Sequence, residues 1–368
     1  MRKIGIYGGS FDPVHKGHTK MMKEAIDLLD LDILNVVPAF ISPFKTKKDN
    51  AKAEDRIKML ELVLPPKAQI CDFEIKRNNV SYTIDTVKYI KNKYPDCELY
   101  LIIGSDNLTK LHKWKDIDLI AQLAKIAVLR RSKNINKINL KKYNGILLNN
   151  KIHEFSSSEY KKGAMDTVAS SVAEYIGHNL LYAKDIVHNC LSAKRAKHSQ
   201  AAATFAANLA KKHGYDAKVA YHAGLFHDIA KEWSAQNSTA YMQYCNVDPN
   251  QYKKFQYHQI CGYLWLKNEY KCDNQELLHA IKVHTSMEDL GDTNLSTLDK
   301  IVYIADKICE GRKYPGIQKV RELVFEDLDK GFKEVVKNNL ILEKQKGTKF
   351  DALAQSVYKN ILGDEYEC

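Results

Sequence analysis

The stretch Gly8-Gly9-Ser10-Phe11-Asp12-Pro13-Val14-His15-Lys16-Gly17-His18 has the makings of a phosphate site. Its glycines let backbone approach a ligand closely. It follows a strand-like run and opens a helix-like one, so unpaired N–H groups and a positive dipole end face the same ligand. His15 and His18 are three apart and share one side of that first helical turn. Two imidazoles there can donate to phosphoryl oxygens as charge develops on them. A second set lies in the other half of the chain. His227 and Asp228 are adjacent within Ala220–Lys231, which reads as a helix. Neighbours on a helix point roughly 100° apart, so a metal between helices can take both. His198 precedes the pair on its own helical stretch, and His258, His284 and Asp306 follow on later ones. A mixed imidazole–carboxylate shell suits Fe, Mn, Zn, Co or Ni.

Different architectures must position these two sets. In the first half, Lys3–Gly8, Ile33–Pro38, Gln69–Phe73, Glu98–Gly104 and Lys125–Leu129 read as buried strands. Lys16–Leu29, Glu54–Val63, Ile84–Tyr94 and Ile117–Leu123 read as helices between them. The alternation predicts an α/β, Rossmann-like domain with a parallel sheet, binding its ligand at the carboxyl ends of the strands. From about Asp185 strand signals cease. Val187–His213, Asp216–Lys231, Tyr257–Asn268, Gln275–Val283, Ser296–Cys309 and Ile317–Asn338 read as helices, which predicts an all-α bundle. The boundary is expected near Leu180–Lys184, giving domains 1–183 and 186–368.

Composition narrows the classes. A chain of 368 residues is long enough for two domains, and 45% apolar with 27% charged residues is a globular balance. No run approaches the roughly 18 apolar residues of a membrane span, and the start lacks a secretory signal. Eight cysteines include no C-x-x-C pair, so they read as reduced thiols of a cytoplasmic protein. The net charge of +11 suits anionic partners, but the lysines are spread along the chain. That favours local phosphate sites over nucleic acid.

Gly8–His18 resembles the signature of nucleotidylyltransferases, specifically bacterial nicotinate mononucleotide adenylyltransferases. Ser81-Tyr82-Thr83-Ile84-Asp85-Thr86, behind Glu74 and Arg77, resembles the substrate loop of that family. Gly104-Ser105-Asp106 with Lys113-Trp114, and Ser156-Ser157-Ser158 with Lys161, resemble its two later motifs. The resemblance spans residues 1–183 and implies transfer of AMP from ATP, with Mg2+, to nicotinate mononucleotide, releasing pyrophosphate. It assigns His15, His18, Gly8, Gly9, Ser10, Phe11 and Lys45 to the phosphate end and Gly104 and Asp106 to the adenosine side. Ser156, Ser157 and Lys161 fall to the triphosphate, and Tyr82, Thr83 and Trp114 to the pyridine pocket. The chain departs from the family at Phe44 (usually His), Ser158 (Thr) and Lys161 (Arg). An ammonium does not reproduce a bidentate guanidinium.

The order His198, His227-Asp228, His258, His284, Asp306 resembles the HD hydrolase superfamily. Arg195-x-x-His198, His227-Asp228-Ile229-Ala230-Lys231, His284-Thr285, Ala305-Asp306 and Glu310–Gly316 bring it closer to the YqeK-type symmetrical diadenosine tetraphosphate hydrolases. The stretch around His258 departs most. This resemblance implies cleavage of diadenosine tetraphosphate into two ADP, with iron as the metal. Six ligands exceed one tetrahedral site, so two metals are expected. His198, His227 and Asp306 would hold one, His258 and His284 the other, with Asp228 bridging. Lys231, Arg195 and Arg312 would meet the phosphates or orient a ligand. The alternatives are another nucleotide substrate, such as an alarmone, or a nucleotide-binding regulatory module.

Overall fold

A computed structural model describes residues 1–41, 51–288 and 295–366. The chain divides into two compact units, Met1–Tyr175 and Ile176–Cys368. The division falls ahead of Leu180–Lys184, because Leu180, Ala183, Ile186 and Val187 are buried within the second unit.

The first unit runs β1 (Arg2–Gly9), α1 (Lys16–Leu29), β2 (Ile33–Pro38), α2 (Ala53–Glu61), β3 (Ala68–Ile70), α3 (Phe73–Arg77) and α4 (Thr83–Lys93). β4 (Cys97–Gly104), a 3-10 stretch at Ser105–Lys113, α5 (Ile117–Leu123), β5 (Lys125–Leu129), α6 (Ile138–Lys142), β6 (Ile146–Leu147) and α7 (Ser157–Lys161) complete it. The described strands form one parallel sheet in the order β3-β2-β1-β4-β5-β6. The order reverses between β1 and β4, which makes a crevice at their carboxyl ends. Gly8 and Gly9 end β1 and Gly104 ends β4, so the predicted ligand loops start at that crevice. Helices cover both faces, which is why β1 and β4 are nearly continuous apolar runs. One reading needs correcting, and one strand carried no signal. Gln69–Phe73 is not one strand: β3 stops at Ile70, and Phe73 already opens α3. β6 is only two residues, too short to show a period.

The division falls within α8 (Ser170–Asn179). The second unit is helical: after α8 come α9 (Ala183–Cys190), α10 (Ala193–Lys212), α11 (Ala217–Phe226), α12 (Ala235–Tyr244), α13 (Tyr257–Asn268), α14 (Gln275–Val283), α15 (Thr297–Ile308), α16 (Ile317–Glu326), α17 (Leu328–Gln345) and α18 (Ala352–Leu362). Val187–His213 is two helices, because Ser192 caps α10 by accepting from the Arg195 amide. Ile317–Asn338 breaks at Asp327, whose carboxylate caps α17. α11 ends at Phe226, so His227 and Asp228 lie just past its end rather than inside it. α10 and α11 approach closely because their shared face is small: Ala202, Ala203 and Ala206 against Ala220, Ala223 and Gly224. A Cβ on Gly224 would lie 2.9 Å from the Ala202 carbonyl oxygen. Among the described residues every cysteine is a free thiol, and no helix is long and apolar enough to cross a membrane.

Candidate active sites

A cavity of about 720 Å³ opens at the carboxyl ends of β1 and β4. Gly8, Gly9, Ser10, Phe11, His15, His18, Tyr82, Thr83, Gly104, Asp106, Trp114, Ser156 and Ser157 all line it. Its histidines are set by a reciprocal cap on α1. The His15 amide donates to His18 Nδ1 at 3.2 Å, and the His18 amide donates to His15 Nδ1 at 3.3 Å. The rings stack with centroids 3.6 Å apart. A Cβ on Gly17 would lie 3.0 Å from the His15 ring, so glycine there leaves room for the stack. With both Nδ1 atoms accepting, each ring carries its proton on Nε2. Two neutral N–H donors result. Burial, with help from Arg131, lowers the His15 pKa to about 4 and keeps that ring uncharged near neutrality.

Three supports escaped the sequence pattern. Arg56 is buried under the glycine turn and donates to the carbonyls of Ser10 (2.8 Å) and Ala39 (2.7 Å). Arg131, just past β5, lines the cavity and reaches Asp106 at 3.4 Å. Lys115 sits 4.7 Å over the Tyr82 ring, beside Trp114. A lone arginine or lysine has no period to betray it, although Arg131 stands where the strand-end rule puts ligands. Glu74 also lines the cavity, and Thr86 donates to it at 2.5 Å. Lys161 lies off the cavity wall: its ammonium holds the buried Asp12 carboxylate at 2.8 Å. Lys45 and Phe44 lie outside the described residues.

In the second unit the structure brings together all six predicted ligands. His198, His227, Asp228 and Asp306 have ligand atoms within 4.8 Å of one another, as do Asp228, His258 and His284. Asp228 belongs to both groups through different oxygens. Its Oδ2 faces His227 (3.4 Å), and its Oδ1 faces His258 (3.6 Å) and His284 (3.8 Å). His198 comes from the second turn of α10, His258 from the start of α13 and Asp306 from the last turn of α15. His227 and His284 follow the ends of α11 and α14. Each of these two donates Nδ1–H to the carbonyl three residues back, Gly224 or Ile281, at 2.7 Å. That bond satisfies an orphan helix-end carbonyl and leaves the Nε2 lone pair facing the cluster.

The donor set fits a divalent cation. His227 Nε2 is fully buried with no hydrogen-bond partner, yet Asp228 Oδ2 and Asp306 Oδ1 stand 3.4 and 3.5 Å away. A lone pair facing two carboxylates is repulsive. Burial opposes charging the ring, but Asp228 and Asp306 override it and push the His227 imidazole up to about 10. The pocket therefore demands positive charge at Nε2, which a proton or a metal supplies. Burial, reinforced by His284 and Lys231, holds His258 well below its ordinary pKa, so its ring stays neutral and able to act as a ligand. Cations crowd the cluster. Arg195 holds Asp228 at 2.7 Å, Arg312 and Lys307 hold Asp306 at 2.9 and 2.7 Å, and Lys231 lies 3.0 Å from His258 Nε2. Arg195, Arg312 and Lys231 thus orient ligand atoms directly. Lys307 and Thr285, whose hydroxyl lies 3.0 Å from His258 Nε2, escaped the sequence pattern.

Residues 6–163 match the cytidylyltransferase-like family, and residues 195–310 match the HD domain. A protein of Mycoplasma genitalium named "Probable nicotinate-nucleotide adenylyltransferase/Ap4A hydrolase" is 32% identical over 326 residues, covering 85% of this chain and 89% of its own. One of the same name in Mycoplasma pneumoniae is 30% identical over 312 residues, covering 82% and 87%. A Clostridium acetobutylicum crystal structure, described as a predicted HD superfamily hydrolase involved in NAD metabolism, is 28% identical with a TM-score of 0.45. That match covers 50% of this chain and 96% of the other. With a cytidylyltransferase-like unit followed by an HD unit over most of its length, the chain belongs to the family of two-part proteins named nicotinate-nucleotide adenylyltransferase/Ap4A hydrolase.

Proposed function

We propose that the chain is a bifunctional enzyme of nucleotide metabolism. The first unit transfers AMP from ATP, bound with Mg2+, to nicotinate mononucleotide. A phosphate oxygen of the mononucleotide bonds to the α-phosphorus of ATP, the α–β bridge breaks, and pyrophosphate leaves. Positioning and charge stabilisation carry such a reaction. His15 and His18 give Nε2–H to the phosphates, and Ser10, Ser156 and Ser157 add donors. Arg131 supplies the guanidinium charge that Lys161, engaged by Asp12, does not bring. Asp106 takes the adenosine sugar, and Tyr82, Thr83 and Trp114 form the pyridine pocket, with Trp114 offering a stacking face. Lys45, outside the described residues, is assigned to a phosphate.

The second unit hydrolyses diadenosine tetraphosphate to two ADP. Water oxygen bonds to one central phosphorus, the bridge between the central phosphates breaks, and the bridging oxygen departs with the second ADP. Two metals, proposed as iron, would supply Lewis acidity and a water acidic enough to attack. His198, His227 and Asp306 would hold one, His258 and His284 the other, and Asp228 would bridge. The observation that carries this reading is the division of Asp228, one oxygen to each group of imidazoles. Arg195, Lys231 and Arg312 keep those ligands oriented and offset phosphate charge.

The test is a crossover on the full chain. Asp228→Ala should abolish hydrolysis of diadenosine tetraphosphate and spare synthesis of nicotinate adenine dinucleotide. His18→Ala should do the reverse. Loss of both activities in either variant, or of neither, contradicts two separate sites.

A further inference from the structure

Adjoining the metal cluster, the second unit holds a cavity of about 1320 Å³. That exceeds the roughly 300–1,000 Å³ of an ordinary small-ligand pocket. One wall is a single face of α10, where Lys194, Lys197 and His198 succeed one another at helical spacing. The other is the loop Glu310–Tyr314. His198 is the one predicted metal ligand on its wall, so the cavity extends away from the cluster on that side.

Its charges fall into two kinds. Arg195 and Arg312 are committed to Asp228 and Asp306, and Arg321 donates to the carbonyls of Ile308 and Cys309, bracing the loop. Lys194, Lys197 and Lys313 form no ion pair among the described residues and are exposed. Of the two acids on the wall, Glu232 is held by the Ser192 amide (2.7 Å) and hydroxyl (2.6 Å), and Glu310 is exposed, so the three lysines outnumber the one acid not so held. Tyr314, half-buried, adds an aromatic face to the same wall. Uncommitted ammoniums beside an aromatic ring, leading away from a phosphate-cleaving centre, match the chemistry of a nucleoside phosphate.

We propose that this cavity docks the departing half of the dinucleoside polyphosphate. Lys197 and Lys313 grip its phosphates, and Tyr314 stacks on its base. The inference rests on the hydrolase reading and deepens it. One nucleotide lies over the metal cluster, and the chain must be long enough to carry the other into the cavity. The enzyme therefore selects two-ended substrates by binding rather than by chemistry.

The test is steady-state hydrolysis of diadenosine tetraphosphate by the full, metal-loaded chain carrying Lys197→Gln with Lys313→Gln. Both side chains are exposed and touch no predicted ligand, and adenylyl transfer by the same preparation checks folding. KM should rise about ten-fold or more, as expected when charged hydrogen bonds are lost, with kcat within two-fold. The steep rise of KM with added KCl in the parent should flatten. The Lys→Arg pair should restore KM to within about three-fold, and Tyr314→Leu should raise KM alone. An active parent with unchanged KM in the Gln pair overturns the docking site and leaves the hydrolase reading intact. A fall in kcat at unchanged KM overturns it equally. A parent that cleaves no dinucleoside polyphosphate overturns both.

Discussion

His227 and His284 end two different helices in the same way: each donates Nδ1–H to a carbonyl three residues back and turns Nε2 toward Asp228. The helix terminus fixes the tautomer, so ordinary helix-end chemistry produces a pair of lone-pair donors. Asp228 joins the groups those rings belong to. Asp228→Asn should lower hydrolysis by at least about a hundred-fold and reduce bound metal, which elemental analysis of the purified variant measures. Full metal content with full activity would show that the carboxylate does not bridge.

Chelation gives an independent check. Asp228 and Asp306 are buried beside His227 and need compensating positive charge. Stripping metal from the chain should lower the Tm of the helical unit, and restoring iron or manganese should raise it again. Adenylyl transfer should not change once Mg2+ is resupplied.

The close approach of α10 and α11 is a geometric requirement of the site. Gly224→Ala places a methyl 2.9 Å from the Ala202 carbonyl oxygen. Overpacking of this kind costs about 1–3 kcal/mol. At roughly 2–4 °C per kcal/mol for a unit of this size, calorimetry should register several degrees. Hydrolysis should fall as well, because the same shift moves His227 relative to His198.

In the first unit, Arg131 and Lys161 should separate by readout. Arg131→Ala should raise KM for ATP about ten-fold, the loss of a charge-assisted contact. Lys161→Ala should leave KM nearly unchanged. It removes one cation from the buried Asp12 carboxylate, which costs up to about 3 kcal/mol given the partial exposure of the lysine. Urea unfolding measures the second effect and initial rates the first.

His15 gives a pH signature. Its imidazole titrates near 4 in the folded chain because of burial, against about 6.5 when unfolded. Between those values the unfolded chain binds more protons, so stability rises with pH. The contribution is fully present above about 6.5 and is lost as pH falls toward 4. Chemical denaturation across that range should show a shallower slope for His15→Asn.

What was legible in the sequence is what carries a period or a fixed spacing. The glycine turn before His15 and His18, and the apolar runs of β1 and β4, announce a parallel sheet with a ligand at its strand ends. The six ligand types announce a metal cluster. Pairings remote in sequence leave no local trace. Lys161 meets Asp12 across 149 residues, and Arg56 props the Ser10 carbonyl from 46 residues away. Helix ends were blurred where an apolar period continues through a cap, as at Leu191-Ser192. The same blurring put His227 inside a helix that ends one residue earlier.

The most direct measurement is chromatography of the products of diadenosine tetraphosphate after incubation with the full chain loaded with iron or manganese, alongside Asp228→Ala. The account predicts ADP alone, absent in the variant. A mixture of ATP and AMP, or cleavage that survives in the variant, would contradict it.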